Sequence, residues 1–371
     1  MSSPIPTHHR ALVLKDVGSP LHLSTLPTPH ATHGSAIVRI EAASVLSYHG
    51  EIYSGVRAYH FPTPLVGGFS AIGRIASIGP DATALSPGQL VYVDCTIRAR
   101  DDPDTQFLSA IHDSGAPGSV KLMRDVWRDG NFAEYANVPL ENCIKLNEGR
   151  LCGDLGYEVQ DLMHVDFLLT AYGGLRDIRL EAGETVVVCP ATGNFGGAGV
   201  QVAVSMGARV IAMGRNMTEL RRLKDFVRAG SPGAEIETVG ITGDEKADTE
   251  ALSAFGTIDA VLDFTPPQGI KSTHLRSATS MLRRNGRVSM MGFSESPVAP
   301  WAMVSKSIRL QGKLMYERED MVQFFKMLEA GRFAVGKQFV DTKAFELGDW
   351  KAAFDTAAEH TGIGRHVVLK P

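Results

Sequence analysis

Residues 185–203 read TVVVCPATGNFGGAGVQVA. The apolar run at the start predicts a buried strand, and the spacing Ala191-x-Gly193-x-x-Gly196 then leads directly into a helical pattern. Gly193 would let the backbone approach a pyrophosphate, Gly196 would let the helix lie close to the strand, and the helix N-terminus offers free N–H groups to an anion. A strand, a turn and a helix in this order are typical of dinucleotide binding, and the alternative is a glycine-rich turn in another α/β protein.

The next predicted strand ends at residues 212–216, which read AMGRN. A protein that binds NAD usually has an acidic residue here for the ribose 2′-hydroxyl, and this segment has none. Gly214 leaves room for a 2′-phosphate, which Arg215 can bind through charge-assisted hydrogen bonds. The segment therefore favours NADPH as the cofactor, and the alternative is that Arg215 only begins a solvated helix.

Strand-like and helical runs alternate between about residues 184 and 310, with one helix ending near Arg284. This alternation predicts βαβ units and a doubly wound parallel sheet. The preceding part of the chain is rich in short strand patterns, which predict a barrel or sandwich and lie at 11–14, 36–40, 71–78 and 90–93. Residues 98–130 predict a long loop, and helical spacing returns at 159–175.

The predicted organisation is an α/β protein with one domain inserted in another. The parallel-sheet domain is expected at 166–310, and the β-rich domain at 1–165 and 311–371.

The chain has 371 residues, and 37 basic against 41 acidic side chains give a net charge of −4, which argues against a nucleic-acid partner. The four cysteines are too scattered for a disulfide framework, and no signal peptide or apolar stretch long enough to span a membrane is recognisable. We therefore expect a cytoplasmic protein without a membrane partner.

Several further segments resemble the medium-chain dehydrogenase/reductase superfamily, in particular its zinc-independent branch of quinone oxidoreductases and enoyl reductases. Together with the glycine turn they cover nearly the whole chain and lie at 65–74, 85–88, 130–136, 261–263, 285–288 and 364–369. The resemblance implies a GroES-like β-barrel catalytic domain built from both chain ends, a central Rossmann domain, and hydride transfer to a small molecule in the cleft between them. It also implies a homodimer.

The same resemblance indicates which residues bind the cofactor. Those at or next to the two phosphate-binding segments are Ala191, Thr192, Gly193, Asn194, Phe195, Gly196, Gly214, Arg215 and Asn216. Those implied by later or earlier family segments are Thr170, Thr265, Gly292, Phe293 and Arg365.

Zinc-dependent members of the superfamily hold a catalytic zinc with Cys, His and Cys, and the matching positions here are Ser47, Phe69 and Asp166. Phe cannot bind a metal, and Ser with Asp is unlike the nitrogen and sulfur ligands that zinc usually takes. Asp166 is either an acid in the site or a charge at a helix N-terminus. The cysteine-rich structural zinc lobe corresponds to 98–130, which has no cysteine. We therefore expect no metal.

Without a Lewis acid the enzyme should choose an acceptor that delocalises negative charge, so the sequence favours reduction of an activated C=C bond or a quinone. The alternatives are a zinc-free carbonyl, alcohol or imine dehydrogenase and a non-catalytic NADPH-binding protein.

His49 falls where zinc alcohol dehydrogenases carry the hydroxyl that relays the substrate proton, and a histidine suits acid–base catalysis near neutral pH. Tyr48 and Tyr53 are the other candidate proton donors, and the alternative for all three is an aromatic wall. The quinone-reductase pattern has Asn and Asp at the positions of Leu46 and His49, so the pocket differs from that pattern.

Overall fold

The computed structural model describes residues 4–295 and 298–371, and the chain divides into two compact units. The β unit comprises Met1–Met163, Val340–His360 and His366–Pro371, and the parallel-sheet unit comprises His164–Phe339 and Thr361–Arg365. Residues 1–3 of the predicted β-rich domain lie outside the described residues, as do residues 296 and 297 of the predicted parallel-sheet domain.

The β unit is built on two sheets and a hairpin-like pair of short strands. The first sheet has the order β2-β1-β4, the second has the order β10-β6-β5-β3-β18-β17 with β9 paired to β3, and β7 pairs with β8. The strands are β1 (His8–Leu14), β2 (His22–Pro27), β3 (Ser35–Val45), β4 (Leu65–Val66), β5 (Ala71–Ile78), β6 (Leu90–Val93), β7 (Thr96–Arg98), β8 (Gln106–Leu108), β9 (Tyr135–Pro139), β10 (Cys143–Lys145), β17 (Asp341–Glu346) and β18 (Arg365–Lys370).

Three α-helices accompany these strands: α1 (His49–Tyr53), α2 (Pro117–Asp125) and α10 (Trp350–Glu359). All four strand patterns quoted from the sequence fall within strands of this unit. The prediction of a plain loop at 98–130 was wrong, because β8 and α2 lie within it. Pro117 at the first position of α2 supplies a φ angle suited to a helix start, a signal that the polar character of the segment obscured.

The parallel-sheet unit has a six-stranded sheet in the order β13-β12-β11-β14-β15-β16, and every pair is parallel. Its strands are β11 (Thr185–Cys189), β12 (Arg209–Gly214), β13 (Ile236–Gly240), β14 (Ile258–Asp263), β15 (Leu282–Met290) and β16 (Arg309–Gly312). Its helices are α3 (Val165–Asp177), α4 (Asn194–Ser205), α5 (Met217–Gly230), α6 (Glu245–Ser253), α7 (His274–Ser280), α8 (Pro300–Lys306) and α9 (Arg318–Glu329). The strand order reverses between β11 and β14, so the predicted doubly wound fold is confirmed.

Two boundaries differ from the sequence prediction. Residues 311–339 belong to the parallel-sheet unit, since β16 pairs with β15 and α9 packs on α3. The helix expected to end near Arg284 ends at Ser280, because Leu282 already begins β15. The local sequence predicted that a helix precedes β15 and that a strand and a helix follow Ser307. Pairing with distant strands determined where the helix and the domain end.

β11 is buried along its whole length, as its apolar sequence predicts. Val187 and Cys189 pack in a core with Leu275 and Ala278 of α7. The carboxyl end of β11 is therefore fixed on one side by α7, and the turn that follows it starts from a rigid position. Within the described residues, none of the helices is both long and apolar enough to cross a membrane.

Candidate functional site

The glycine turn between β11 and α4 holds the helix tightly against the strand end. A Cβ added to Gly196 would lie 2.0 Å from the carbonyl oxygen of Pro190, so only glycine fits there. Gly193 is the N-cap of α4, is exposed, and has open space where a Cβ would lie. The exposed glycine at the start of a helix leaves free N–H groups that a phosphate can reach, which suits the residues to a dinucleotide.

Contacts within the parallel-sheet unit bring several predicted cofactor residues together. The backbone N–H of Ala191 donates to Met213 O at 2.7 Å, and Asn194 Nδ2 donates to Arg365 O at 2.8 Å. A Cβ at Gly214 would lie 2.6 Å from Thr192 Cγ2. The glycine turn, the end of β12 and Arg365, all within the parallel-sheet unit, therefore meet at one edge of the sheet.

The residues after β12 are arranged around the N-terminus of α5. Asn216 Oδ1 accepts hydrogen bonds from the backbone N–H groups of Thr218 and Glu219, at 3.0 and 3.2 Å, and so caps the helix. Arg215 is exposed beside this cap. Arg365 donates to Thr361 O at 3.0 Å and lies 3.7 Å from Glu219 Oε2, so its charge already has a partner.

A second group of predicted cofactor residues lies after β14 and β15. Phe293 N donates to Thr265 O at 2.7 Å, and a Cβ on Gly292 would lie 2.2 Å from Thr265 N. Phe195 stacks on Phe264 with ring centroids 6.0 Å apart. Since β11 and β14 are neighbours, this stacking joins the second group to the glycine turn.

Phe195 also contacts Phe167 of α3 edge-on, with a centroid distance of 5.0 Å. Further along α3, Thr170 is buried and its hydroxyl donates to Asp166 O at 2.8 Å, so the Thr170 side chain serves the helix itself. The rings of Phe195 and Phe167 therefore connect α3 to the edge where the predicted cofactor residues meet.

The sequence analysis missed a cluster of three side chains in the parallel-sheet unit, Cys189, Asp263 and His274, at the ends of β11 and β14 and the start of α7. All three are buried, and their sulfur, carboxylate and imidazole ligand atoms lie within 4.8 Å of one another. The hydroxyl of Thr265 donates to Asp263 Oδ1 and lies 3.0 Å from His274 Nε2. No spacing in the sequence reveals the cluster, because β11, β14 and α7 each contribute one residue.

In the β unit, His49 is fully buried at the start of α1. Its ring packs in a triangle with those of Tyr53 and Phe354, whose centroids are 5.6 Å from it in each case and 6.2 Å from each other, and Nδ1 accepts from Leu46 N at 2.9 Å. Burial lowers the pKa of His49 to about 3. The lowered pKa argues against the expected proton exchange at His49 near neutral pH, since the aromatic environment disfavours the charged ring.

The Tyr53 hydroxyl forms hydrogen bonds with two backbone groups. It donates to Ala110 O at 3.2 Å and accepts from Gly68 N at 2.8 Å, and burial raises its pKa above the ordinary range. Tyr48 is half-buried, and the guanidinium carbon of Arg57 lies 3.9 Å from its ring centroid. Of the three predicted proton donors, Tyr53 thus has a structural role that the sequence did not reveal.

The residues at the family's zinc positions do not fit a zinc ion. Phe69 is buried and has no metal-binding atom, Ser47 is half-buried, and Asp166 is buried in the first turn of α3. Within the part of the chain that the structure describes, Cys189, Asp263 and His274 form the one group of three or more His, Cys, Asp or Glu side chains close enough to hold an ion. None of the three zinc positions belongs to that group.

Two family models match most of this chain. The alcohol dehydrogenase GroES-like domain matches residues 32–148, and the zinc-binding dehydrogenase model matches 195–330. The chain belongs to the medium-chain dehydrogenase/reductase superfamily of oxidoreductases. Its β unit accordingly contains a GroES-like domain, as the resemblance implied.

Relatives of this medium-chain dehydrogenase/reductase differ in cofactor and substrate. An NAD-dependent alcohol dehydrogenase of Sulfurisphaera tokodaii is 23% identical, over 97% of this chain and 99% of the relative. A zinc-binding dehydrogenase of Sinorhizobium meliloti 1021, solved with NADP, superposes with a TM-score of 0.76 at 18% identity, covering 99% of this chain and 100% of that chain. Crotonyl-CoA carboxylase/reductase superposes with a TM-score of 0.78 at 15% identity, covering 99% and 89%.

Proposed function

We propose that this medium-chain dehydrogenase/reductase reduces an activated C=C bond or a quinone of a small organic molecule with NADPH, without a catalytic metal. The observation that carries the proposal is Phe69, a buried apolar ring at a position where zinc-dependent members have a ligand. Zinc polarises a carbonyl and stabilises a developing alkoxide by several kcal/mol. An acceptor that spreads the charge over a conjugated system has less need of that stabilisation.

The glycine turn supports nucleotide binding through geometry that the chain itself provides. Gly196 holds α4 against β11, and the exposed Gly193 leaves the helix N-terminus open. The helix dipole and the free N–H groups at this end favour a pyrophosphate. When bound, NADPH supplies the hydride.

The preference for NADPH rests on Gly214 and Arg215. A Cβ at Gly214 would lie 2.6 Å from Thr192 Cγ2, so a side chain there would require the Thr192 side chain to rotate. Arg215 is exposed beside it and provides a planar cation that suits a 2′-phosphate. The NAD-dependent relative named above makes this preference the first point to measure.

His49 takes a different role from the one its sequence position suggested. Because Nδ1 accepts from Leu46 N, the neutral ring carries its proton on Nε2, and that atom is buried without a hydrogen-bond partner among the described residues. Because His49 is fully buried among aromatic rings of the β unit, we propose that it serves the packing around α1 and does not contact the substrate.

The test offers NADPH and a panel of enones, quinones, ketones and imines to the purified full chain, and follows the nicotinamide absorbance. We expect turnover of enones or quinones, and inactivity towards the whole panel with NADPH bound would overturn the proposal in favour of a binding protein. Turnover of ketones but not of enones would instead favour a carbonyl or alcohol dehydrogenase, which the name of the Sulfurisphaera relative supports.

The oligomeric state and the cellular location belong to the same proposal. We expect a cytoplasmic homodimer that acts on a small molecule and binds neither nucleic acid nor membranes. Sedimentation of the purified protein measures the first of these points directly.

A further inference from the structure

Three potential metal ligands converge inside the parallel-sheet unit from parts of the chain that are distant in sequence. Cys189 ends β11 and Asp263 ends β14, and the two residues are register partners in neighbouring parallel strands. His274 begins α7, which packs against both strands. Side chains at the carboxyl ends of adjacent strands and on the covering helix therefore point to one location.

We propose that Cys189, Asp263 and His274 form a structural zinc site of this protein. The site is distinct from Ser47, Phe69 and Asp166, the positions that bind zinc in other members of the superfamily, and the proposal replaces the expectation from the sequence that the protein binds no metal. The site holds one ion that fastens the end of β11, and with it the glycine turn, to β14 and α7. The proposal does not depend on which substrate the enzyme reduces.

The donor set matches the chemistry of zinc. Cys189 and His274 supply the sulfur and nitrogen ligands that zinc usually takes, and carboxylate is a further protein ligand of zinc. Thr265 Oγ lies within hydrogen-bond reach of both Asp263 and His274 and offers a neutral oxygen at the same place. The three ligating side chains are all buried, so the site is closed to a substrate.

An unsatisfied carboxylate oxygen indicates that the cluster is incomplete without a cation. Asp263 is fully buried, and its Oδ2 has no hydrogen-bond partner among the described residues. A buried charged oxygen without a partner is costly, and proteins usually pair such groups or use them to coordinate metals. A divalent ion would neutralise this carboxylate together with the Cys189 thiolate.

The histidine is already oriented for coordination. His274 Nδ1 lies 2.7 Å from Ser272 Oγ, while Nε2 faces the cluster, 3.8 Å from Asp263 Oδ1. A metal-binding histidine normally donates its other N–H to such an oxygen, which fixes the ring. Ligand atoms in a tetrahedral zinc site are about 3.5 Å apart. The ligand atoms of Cys189, Asp263 and His274 lie within 4.8 Å of one another. Side-chain rotations that move these atoms by about an ångström would therefore bring them to the distances of a zinc site.

Cobalt provides the most direct test, because a thiolate bound to Co²⁺ gives a near-ultraviolet charge-transfer band. The full chain is stripped with a chelator and titrated with Co²⁺, and then with Zn²⁺. We expect one equivalent of Co²⁺ with a thiolate band, its loss on displacement by Zn²⁺, and a higher midpoint of thermal unfolding with either metal. A wild-type protein that shows no thiolate band would overturn the proposal.

Variants assign the band to one cysteine. Cys189→Ser should lose the band and bind Zn²⁺ at least about tenfold more weakly, and His274→Gln should weaken binding similarly. The matched control is the triple variant Cys95→Ser, Cys143→Ser, Cys152→Ser, which keeps only Cys189 and should retain the band. Loss of the band in this triple variant, with its circular dichroism unchanged, would assign the metal elsewhere. The control also decides the matter if Cys189→Ser does not fold.

Discussion

Gly196 lies against the carbonyl oxygen of Pro190 so closely that a Cβ would be 2.0 Å from it, whereas a Cβ at Gly193 would meet open space. The two glycines of one motif therefore have different functions. Gly196 serves the packing of α4 on β11, and Gly193 serves access to the helix N-terminus.

Gly196→Ala should destabilise the protein by about 3 kcal/mol, because backbone must move to relieve the overlap. Gly193→Ala should cost at most about 1 kcal/mol, the difference between the two residues at an N-cap, yet weaken NADPH binding at least about tenfold. Urea unfolding and calorimetric titration of both variants measure these effects. A Gly193→Ala protein with wild-type affinity for both nucleotides would show that the pyrophosphate lies elsewhere.

Arg215→Asp should shift the preference from NADPH towards NADH by about 1–3 kcal/mol, since it replaces a charged hydrogen bond to the 2′-phosphate with repulsion. The ratio of dissociation constants for the two nucleotides is the readout. Arg228→Asp is the matched control, because it makes the same change of charge in the last turn of α5. Equal effects of the two substitutions would mean that only the overall charge matters.

Tyr53→Phe should lower the free energy of unfolding by about 1–3 kcal/mol, because Gly68 N–H and Ala110 C=O would be buried without a partner. Tyr135→Phe, at a half-buried position in β9, is the control, since solvent can replace its hydroxyl. A Tyr53→Phe variant as stable as wild type would reopen its role as a proton donor.

Neutral His49 should make the protein less stable as the pH falls from about 6.5 towards 3. The unfolded chain binds a proton over this range and the folded chain does not, because burial lowers the pKa of His49 to about 3. In His49→Asn, whose Oδ1 can still accept from Leu46 N, the slope of stability against pH should decrease by up to about 1.4 kcal/mol per pH unit. Urea unfolding between pH 4 and about 6.5 measures the slope, and identical slopes would contradict the burial of this ring.

The predicted strands and the glycine turn were recognisable because local patterns carry them. The apolar run of β11 and the helical pattern after Gly196 depend only on near neighbours in the chain. The end of the helix before β15 and the membership of 311–339 were not predictable in this way, since pairing with distant strands determines them.

The sequence by itself determined the doubly wound unit, the nucleotide turn and the superfamily, because strand periodicity and glycine spacing are properties of contiguous residues. Only the tertiary structure decided that His49 is buried beside two aromatic rings, which lowers its pKa, and that Cys189, Asp263 and His274 share one buried location. Burial and the proximity of charged groups arise when distant segments pack together, and both change what a side chain can do.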